Sequence, residues 1–290
     1  MQASKDRLYK DVDFLTSIQP PRNYQNGDSL EKVCYYLRKE FMLMGASPTE
    51  QTWMAEGTSY KNIIASYNTE KTKRLIIGAH YDVAGNQPGA DDNASAVAGL
   101  LETARMVFTN KPLLEYRIDF VAYCLEEPPF FGSDLMGSYV HAKSLHDQHA
   151  AVIGMICYEM IGYFSDKPNS QPFPSPDLAK QYPHVANFII VVGIDKYAAF
   201  NKKVHQLMKE DAAVDVQLIN FPSSHAQAGL AGLSDQKSYW RFNYPALMIN
   251  DTAFIRNPNY HQKTDTIDTL DFDKITAVVN SAYKAIIQMA

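Results

Sequence analysis

An α/β fold, with helices on both faces of a mixed and mostly parallel sheet, is predicted by three features of the sequence. Apolar runs of β-type composition alternate along the chain with segments of helical period. No internal repeat or low-complexity tract interrupts that alternation. The 290 residues, 46% of them hydrophobic, suffice for one sizeable core without demanding several, so residues 1–290 are read as a single domain.

The elements follow in order. Asp28 and Glu31 read as a capping box opening the helix SLEKVCYYLRKEFMLM, which Gly45 ends. Strands are expected at 59–67 and 74–79, and the helix Ala94 to Phe108 shows Ala, Leu and Met at three- and four-residue spacing. A strand at 116–124, a helix over 133–146 and a strand at 151–158 come next. They are followed by a strand at 187–193, a helix near 196–211, strands around 214–220 and at 245–250, and a closing helix from Phe272 to Met289. The opening part of the sheet is the place for antiparallel strands. Residues 164–186 carry Pro168, Pro172, Pro174, Pro176 and Pro183 and are read as irregular. A loop of that length inside a compact domain is functional or disordered; here it is taken as the ordered wall of a pocket.

Composition excludes several functions. A net charge of −5, from 27 basic and 32 acidic residues, argues against nucleic acid as the main partner. No basic run offers a polyanion patch. Cys34, Cys124 and Cys157 are too few for a disulfide scaffold, and the latter two, in apolar runs, read as buried thiols. No apolar stretch approaches the roughly twenty residues of a membrane span, and MQASKDRLYKDVDFL lacks the apolar core of a signal peptide.

Four strand ends finish in metal-capable side chains. RLIIGA runs into His80 and Asp82, YRIDFVAYC into Glu126 and Glu127, AVIGMICY into Glu159, and PALMIN through a loop into His261. In an open α/β sheet, ligands bind beyond the carboxyl ends of the strands, so these residues are sent to one edge. Singly, each has an ordinary structural explanation. His80 with Asp82 is the better pair, because a metal-bound imidazole usually donates its second N–H to an orienting carboxylate. GADDNAS places Asp91 and Asp92 before a helix; one cap would suffice, which leaves one acid for a metal. Pro128 and Pro129 stop the strand after Glu126-Glu127, and neighbours in extended chain point oppositely. One of these glutamates can therefore ligate while the other serves as base to a metal-activated water. Glu159 ends an apolar run, where a salt bridge or a metal would offset its charge. His261 alone is uninformative. Nitrogen and oxygen donors without thiolate suit zinc, with manganese or cobalt possible. A shared aspartate would let five ligands serve two ions. Serine-nucleophile, P-loop, GxGxxG and HExxH motifs are absent, and the adjacent Ser224-His225 is left as loop.

The segments GAHYD (78–82), PGADDNASAVA (88–98), YCLEEPPFFGS (123–133), YEMIGY (158–163), LSDQKSYW (233–240) and NYHQKTDTIDTLDF (259–272) are similar, as an ordered set, to the bacterial leucyl aminopeptidase type of zinc exopeptidase. That family also includes glutaminyl cyclases, and the resemblance covers nearly everything from Leu75 onward. It implies that His80 and Glu159 hold one zinc, that Glu127 and His261 hold a second, and that Asp92 bridges them. Glu126 takes the general-base position, Asp82 stands behind His80, and Asp235 matches an acid of supporting role. Two ions are the expectation; Glu159, standing where many relatives have aspartate, leaves one ion as an option. Gln236 replaces a common histidine. The implied substrates are peptides with a free N-terminus, hydrolysed at the first peptide bond in a secreted or periplasmic setting. Phe130, Phe131, Tyr163, Phe164 and Tyr260 suggest an apolar first residue, with Tyr260 at the substrate. One alternative is a single-zinc glutaminyl cyclase, whose relatives usually carry Trp where this chain has Tyr260. The other is a non-catalytic binding domain, which would have lost ligands this chain retains.

Overall fold

The computed structural model describes residues 1–225 and 229–289. Eight strands form one sheet: β1 (Thr49–Ala55), β2 (Thr58–Tyr67), β3 (Lys73–His80), β4 (Arg117–Tyr123), β5 (Ala151–Glu159), β6 (Phe188–Ile194), β7 (Asp215–Phe221) and β8 (Ala246–Asn250). Their spatial order is β1-β2-β4-β3-β5-β8-β6-β7. The pairs β4–β3, β3–β5, β5–β8 and β6–β7 are parallel, while β1–β2, β2–β4 and β8–β6 are antiparallel. The antiparallel opening matches the expectation; the reversal at β6 was not foreseen.

The helices are α1 (Lys5–Ser17), α2 (Gly27–Leu43), α3 (Ala96–Asn110), α4 (Gly137–Asp147), α5 (Pro176–Gln181), α6 (Ala198–Lys209), α7 (Gln236–Trp240) and α8 (Phe272–Ile287). Strand alternation divides the core into two layers. Leu75, Ile77 and Ala79 of β3 face the layer of α1, α2, α3, α6 and α8, whereas Ile76 faces the layer of α4 and α7. Central strands buried on both faces read as continuous apolar runs, which is why they were legible. Among the described residues no helix is long and apolar enough to cross a membrane.

The differences from expectation are local. Helix α1 went unread, although Leu8, Val12 and Leu15 recur at helical spacing and are buried; the half-exposed edge strand β1 went unread too. The Asp28–Glu31 capping box does not form. Helix α2 starts earlier, at Gly27, the Asn26 side chain donates to the Pro21 carbonyl (2.7 Å), and Glu31 pairs with Lys61 (2.9 Å). The helix expected from Ala94 begins at Ala96, because residues 90–95 form an irregular turn with non-helical backbone at Asp92 and Asn93. The proline-rich segment includes one short helix, α5, capped by Ser175 and started by Pro176, a residue suited to a first helical position.

One buried polar network ties the N-terminal helices to α3. Arg105 donates to Asp11 (2.5 and 3.0 Å), Glu40 (2.7 Å) and Glu102 (3.3 Å), and Tyr36 donates to Asp11 (2.6 Å). Arg105→Ala leaves Glu40 without its partner and takes a buried cation from Asp11 and Glu102, and should cost about 3–5 kcal/mol. Chemical denaturation of the variant against the parent measures it.

Candidate metal centre

The parallel alignment of β4, β3, β5 and β8 brings four strand ends to one edge. Strand β3 ends on His80, and β5 ends on Glu159. Leu125, in the left-handed region, turns the chain after β4 so that Glu126 and Glu127 face the edge. Met160 turns away behind Glu159, and His261 itself has φ +57°. Left-handed backbone at non-glycine residues is costly and gathers at functional sites.

The geometry centres on Asp92. Its Oδ1 lies 3.5 Å from His80 Nε2, and its Oδ2 lies 3.1 Å from His261 Nε2. His80 Nε2 also lies 3.3 Å from Glu159 Oε2 and 3.7 Å from Glu126 Oε2, while His261 Nε2 lies 3.3 Å from Glu127 Oε2. Three groups could each hold a cation with ligand atoms within 4.8 Å of one another. They are His80–Asp92–Glu159, Asp92–Glu127–His261 and His80–Glu126–Glu127. The donors point at shared space more than at each other. His261 Nε2 and Glu127 Oε1 are buried yet make no hydrogen bond. Imidazole nitrogens and carboxylate oxygens in such groups suit a divalent ion such as zinc.

Two carboxylates outside these groups hold the loops. Asp82 accepts from the backbone N–H of Glu126 (3.2 Å) and Glu127 (3.1 Å). Asp265 accepts from the N–H of Asp91 (2.9 Å) and Asp92 (3.1 Å). Beneath both loops, the buried Arg22 donates to the carbonyls of Tyr81 (2.8 Å), Leu15 (3.2 Å), Pro88 (2.5 Å) and Gly89 (2.6 Å). Gly89, at φ +65°, has no room for a Cβ beside Val83 and the Asp92 carbonyl.

Of the five aromatic residues expected around an apolar first side chain, Phe131 and Tyr260 line the cavity, whereas Phe130, Tyr163 and Phe164 do not. Asp91, the open alternative to Asp92, is turned away: its carboxylate accepts from Gly162 N–H (2.9 Å) and Asn257 (2.7 Å). The acceptor nearest His80 Nδ1 is the Asp82 carbonyl, at 3.2 Å; the Asp82 carboxylate is at 3.5 Å. Asp235 is buried outside the three groups, beside Ser138. Tyr260 stacks on His261 with ring centroids 3.8 Å apart and lines the cavity. Gln236 donates to the Ala231 carbonyl at 2.7 Å. Sequence reasoning missed Arg22, Asp265 and Ser234, whose hydroxyl donates to Glu159 at 2.6 Å. Ser234 and Asp265 lie inside the segments quoted above, but a backbone grip leaves no residue-type signature.

Crowded acids and buried imidazoles shift one another. Burial pushes the Glu126 carboxyl well above the ordinary range, against the pull of His80. Burial and Asp92 raise Glu127 to about 7. Burial also raises Glu159, and it lifts Asp265 to about 8. Burial opposes charge on Asp92, but His261 and His80 outweigh it and hold that carboxyl far below the usual range. Burial likewise opposes charge on His261, which Asp92 and Glu127 nevertheless raise to about 10. The cluster thus binds protons where it could bind cations.

A cavity of about 200 Å³ opens from this cluster. Phe131, Leu233, Phe254 and Tyr260 line it, as do Phe173, Pro174, Leu178 and Tyr182 of the proline-rich segment.

The shifts set a sign for pH dependence. Raised carboxyls (Glu127 to about 7, Asp265 to about 8) and a raised imidazole (His261 to about 10) keep protons in the folded chain that the unfolded chain has released. Stability of chelator-treated protein should therefore fall as pH rises from about 5 to about 8. Asp92 contributes the opposite slope only in acid, below the ordinary carboxylate range. Thermal unfolding across that window, with chelator and with added zinc, reads the effect; zinc should flatten the slope.

Residues 62–286 match peptidase family M28. Over 288 residues the chain is 41% identical to the uncharacterized protein YfbL of Escherichia coli (strain K12), a match spanning 96% of this chain and 86% of that protein. The LapA aminopeptidase of Legionella pneumophila shares the fold, with a TM-score of 0.77 and 21% identity over 98% of this chain and 72% of that one. So does the glutaminyl cyclase of Bacteroides thetaiotaomicron bound to N-acetylhistamine, with a TM-score of 0.74 and 22% identity over 99% of each chain. With three quarters of its length in the family match and a relative of 41% identity along nearly all of it, the chain belongs to peptidase family M28.

Proposed function

We propose that this chain is a metal-dependent aminopeptidase that hydrolyses the first peptide bond of peptides with a free N-terminus. The observation that carries the reading is Asp92, whose two oxygens face two different histidines, each within its own ligand group. That arrangement fits two zinc ions: one held by His80, Glu159 and Asp92, the other by Glu127, His261 and Asp92. Zinc there would supply Lewis acidity at the scissile carbonyl and lower the pKa of water to about 7.

The chain's own residues account for the rest. Glu126 is buried, lines the cavity and belongs to neither Asp92 group, so it is free to take a proton from the attacking water and pass it to the leaving amine. Its raised pKa in the bare cluster suits a proton acceptor, since nearby cations would bring it down toward the working range. Asp82 keeps Glu126 and Glu127 in register through their amides, and the His80 Nδ1–H on the Asp82 carbonyl leaves Nε2 as the donor to metal. Burial pushes the Asp235 carboxyl up to about 7, against the pull of His80. Excess acid beside an apolar cavity suits an α-amino group joined to an apolar side chain.

Elemental analysis should give near two zinc ions per chain, and leucine p-nitroanilide should be cleaved only with its amine free. Glu126→Gln should retain the metal and lose roughly 10²–10⁴-fold in rate. One ion per chain, with cyclisation of N-terminal glutamine and no hydrolysis, would instead establish the cyclase reading.

A further inference from the structure

Beyond the acidic cluster the cavity continues as a slot. Its floor is one face of β8, β6 and β7, carrying Met248, Ile190, Val192, Ile219 and Phe221. On the other face of these strands lies α6; on the slot face the roof is the proline-rich segment with its short helix α5. Two strand spacings separate β8 from β7, so the floor extends about 10 Å sideways from the cluster. Among the described residues, the charged side chains lining the cavity are those of the cluster itself.

The roof is built in place. Ser165 N–H donates to the Ala186 carbonyl (2.9 Å) and Gln171 N–H to the His184 carbonyl (3.0 Å), which closes the segment on itself. At the near end, the buried Gln171 accepts from Arg256 Nε (2.8 Å) and donates to Thr252 (3.1 Å). At the far end, the Tyr182 hydroxyl donates to the Leu218 carbonyl on the edge strand β7 (2.9 Å). Tyr182 thus stands across the slot where the sheet ends. Such an end admits a side chain but no continuing polypeptide. The open rim, by contrast, carries Leu233 and Phe254, 39% and 48% exposed, over which a peptide could leave.

We propose that this slot receives the substrate's N-terminal side chain and selects one that reaches farther than leucine, unbranched or aromatic, with Tyr182 as the length-limiting residue. The proposal rests on the aminopeptidase reading: the α-amino group stays at the acids while the side chain lies along β8, β6 and β7. Each methylene buried in such an apolar site is worth about a fourfold gain in kcat/KM.

The test is a series of p-nitroanilides of alanine, leucine, norleucine, 2-aminooctanoic acid and 2-aminodecanoic acid, with phenylalanine alongside. On the zinc-loaded enzyme, kcat/KM should climb about fourfold per methylene past norleucine before falling. Tyr182→Ala should move the optimum to a longer chain, and Ile219→Phe, which fills the floor, to a shorter one. A plateau or fall beyond leucine, with leucine itself cleaved, overturns the slot and leaves the aminopeptidase reading standing. If no anilide is cleaved, that reading fails, and the slot is judged by calorimetry with n-alkylamines from butyl to octyl. Affinity that tightens with chain length, and less so in Ile219→Phe, supports it; affinity independent of length overturns it.

Discussion

Two backbone grips hold this site in shape. Four carboxylates and two imidazoles meet at one sheet edge, and acids do not gather by attraction. Asp82 takes the amides of Glu126 and Glu127, and Asp265 takes those of Asp91 and Asp92. Each grip is a carboxyl group accepting from two consecutive N–H groups, an arrangement that fixes a loop through its backbone. Asp82 belongs to the loop that also carries His80. That connection sets the loop of His80 against the loop of Glu126 and Glu127, and Asp265 does the same for the loops of His261 and Asp92.

The sheet is asymmetric in a way that serves the site. On one face, helices cover the strands from β2 to β7 and form the larger core. On the other, α4 and α7 pack toward β2, β5 and β8, and the strands beyond are roofed by a loop. A helix packed there would have filled the space with side chains. The five prolines of residues 164–186 deny the segment a long helix, while its two ladder-like hydrogen bonds keep it closed on itself. The result is an apolar hollow bordering a polar one, joined at Glu159 and Met160.

What could be read in advance follows from physical range. The central strands were legible because burial on both faces makes them continuous apolar runs, and their ends pointed to His80, Glu126, Glu127 and Glu159. The choice of Asp92 over Asp91 was not legible locally. It depends on the irregular turn at 90–95 and on partners at Gly162 and Asn257, far along the chain. The capping box at Asp28 failed for a similar reason, because a loop anchored at Pro21 starts the helix before it. Ser234, Asp265 and Arg22 act through backbone atoms or through another side chain, and such roles leave no spacing in a sequence.

Arg22 carries a last consequence. The family match opens at residue 62, yet this guanidinium, forty residues earlier, is buried under the loops after His80 and before Asp91, with three of its carbonyl partners at Tyr81, Pro88 and Gly89. Four of the surrounding acids, Asp265, Asp92, Asp82 and Glu127, feel its charge. A boundary drawn by sequence similarity is thus not a mechanical one. A fragment cut at that boundary would leave the Tyr81 and Pro88 carbonyls without the guanidinium donor and an acidic edge without its counterweight. The N-terminal segment is the keel of the site, however little its sequence says so.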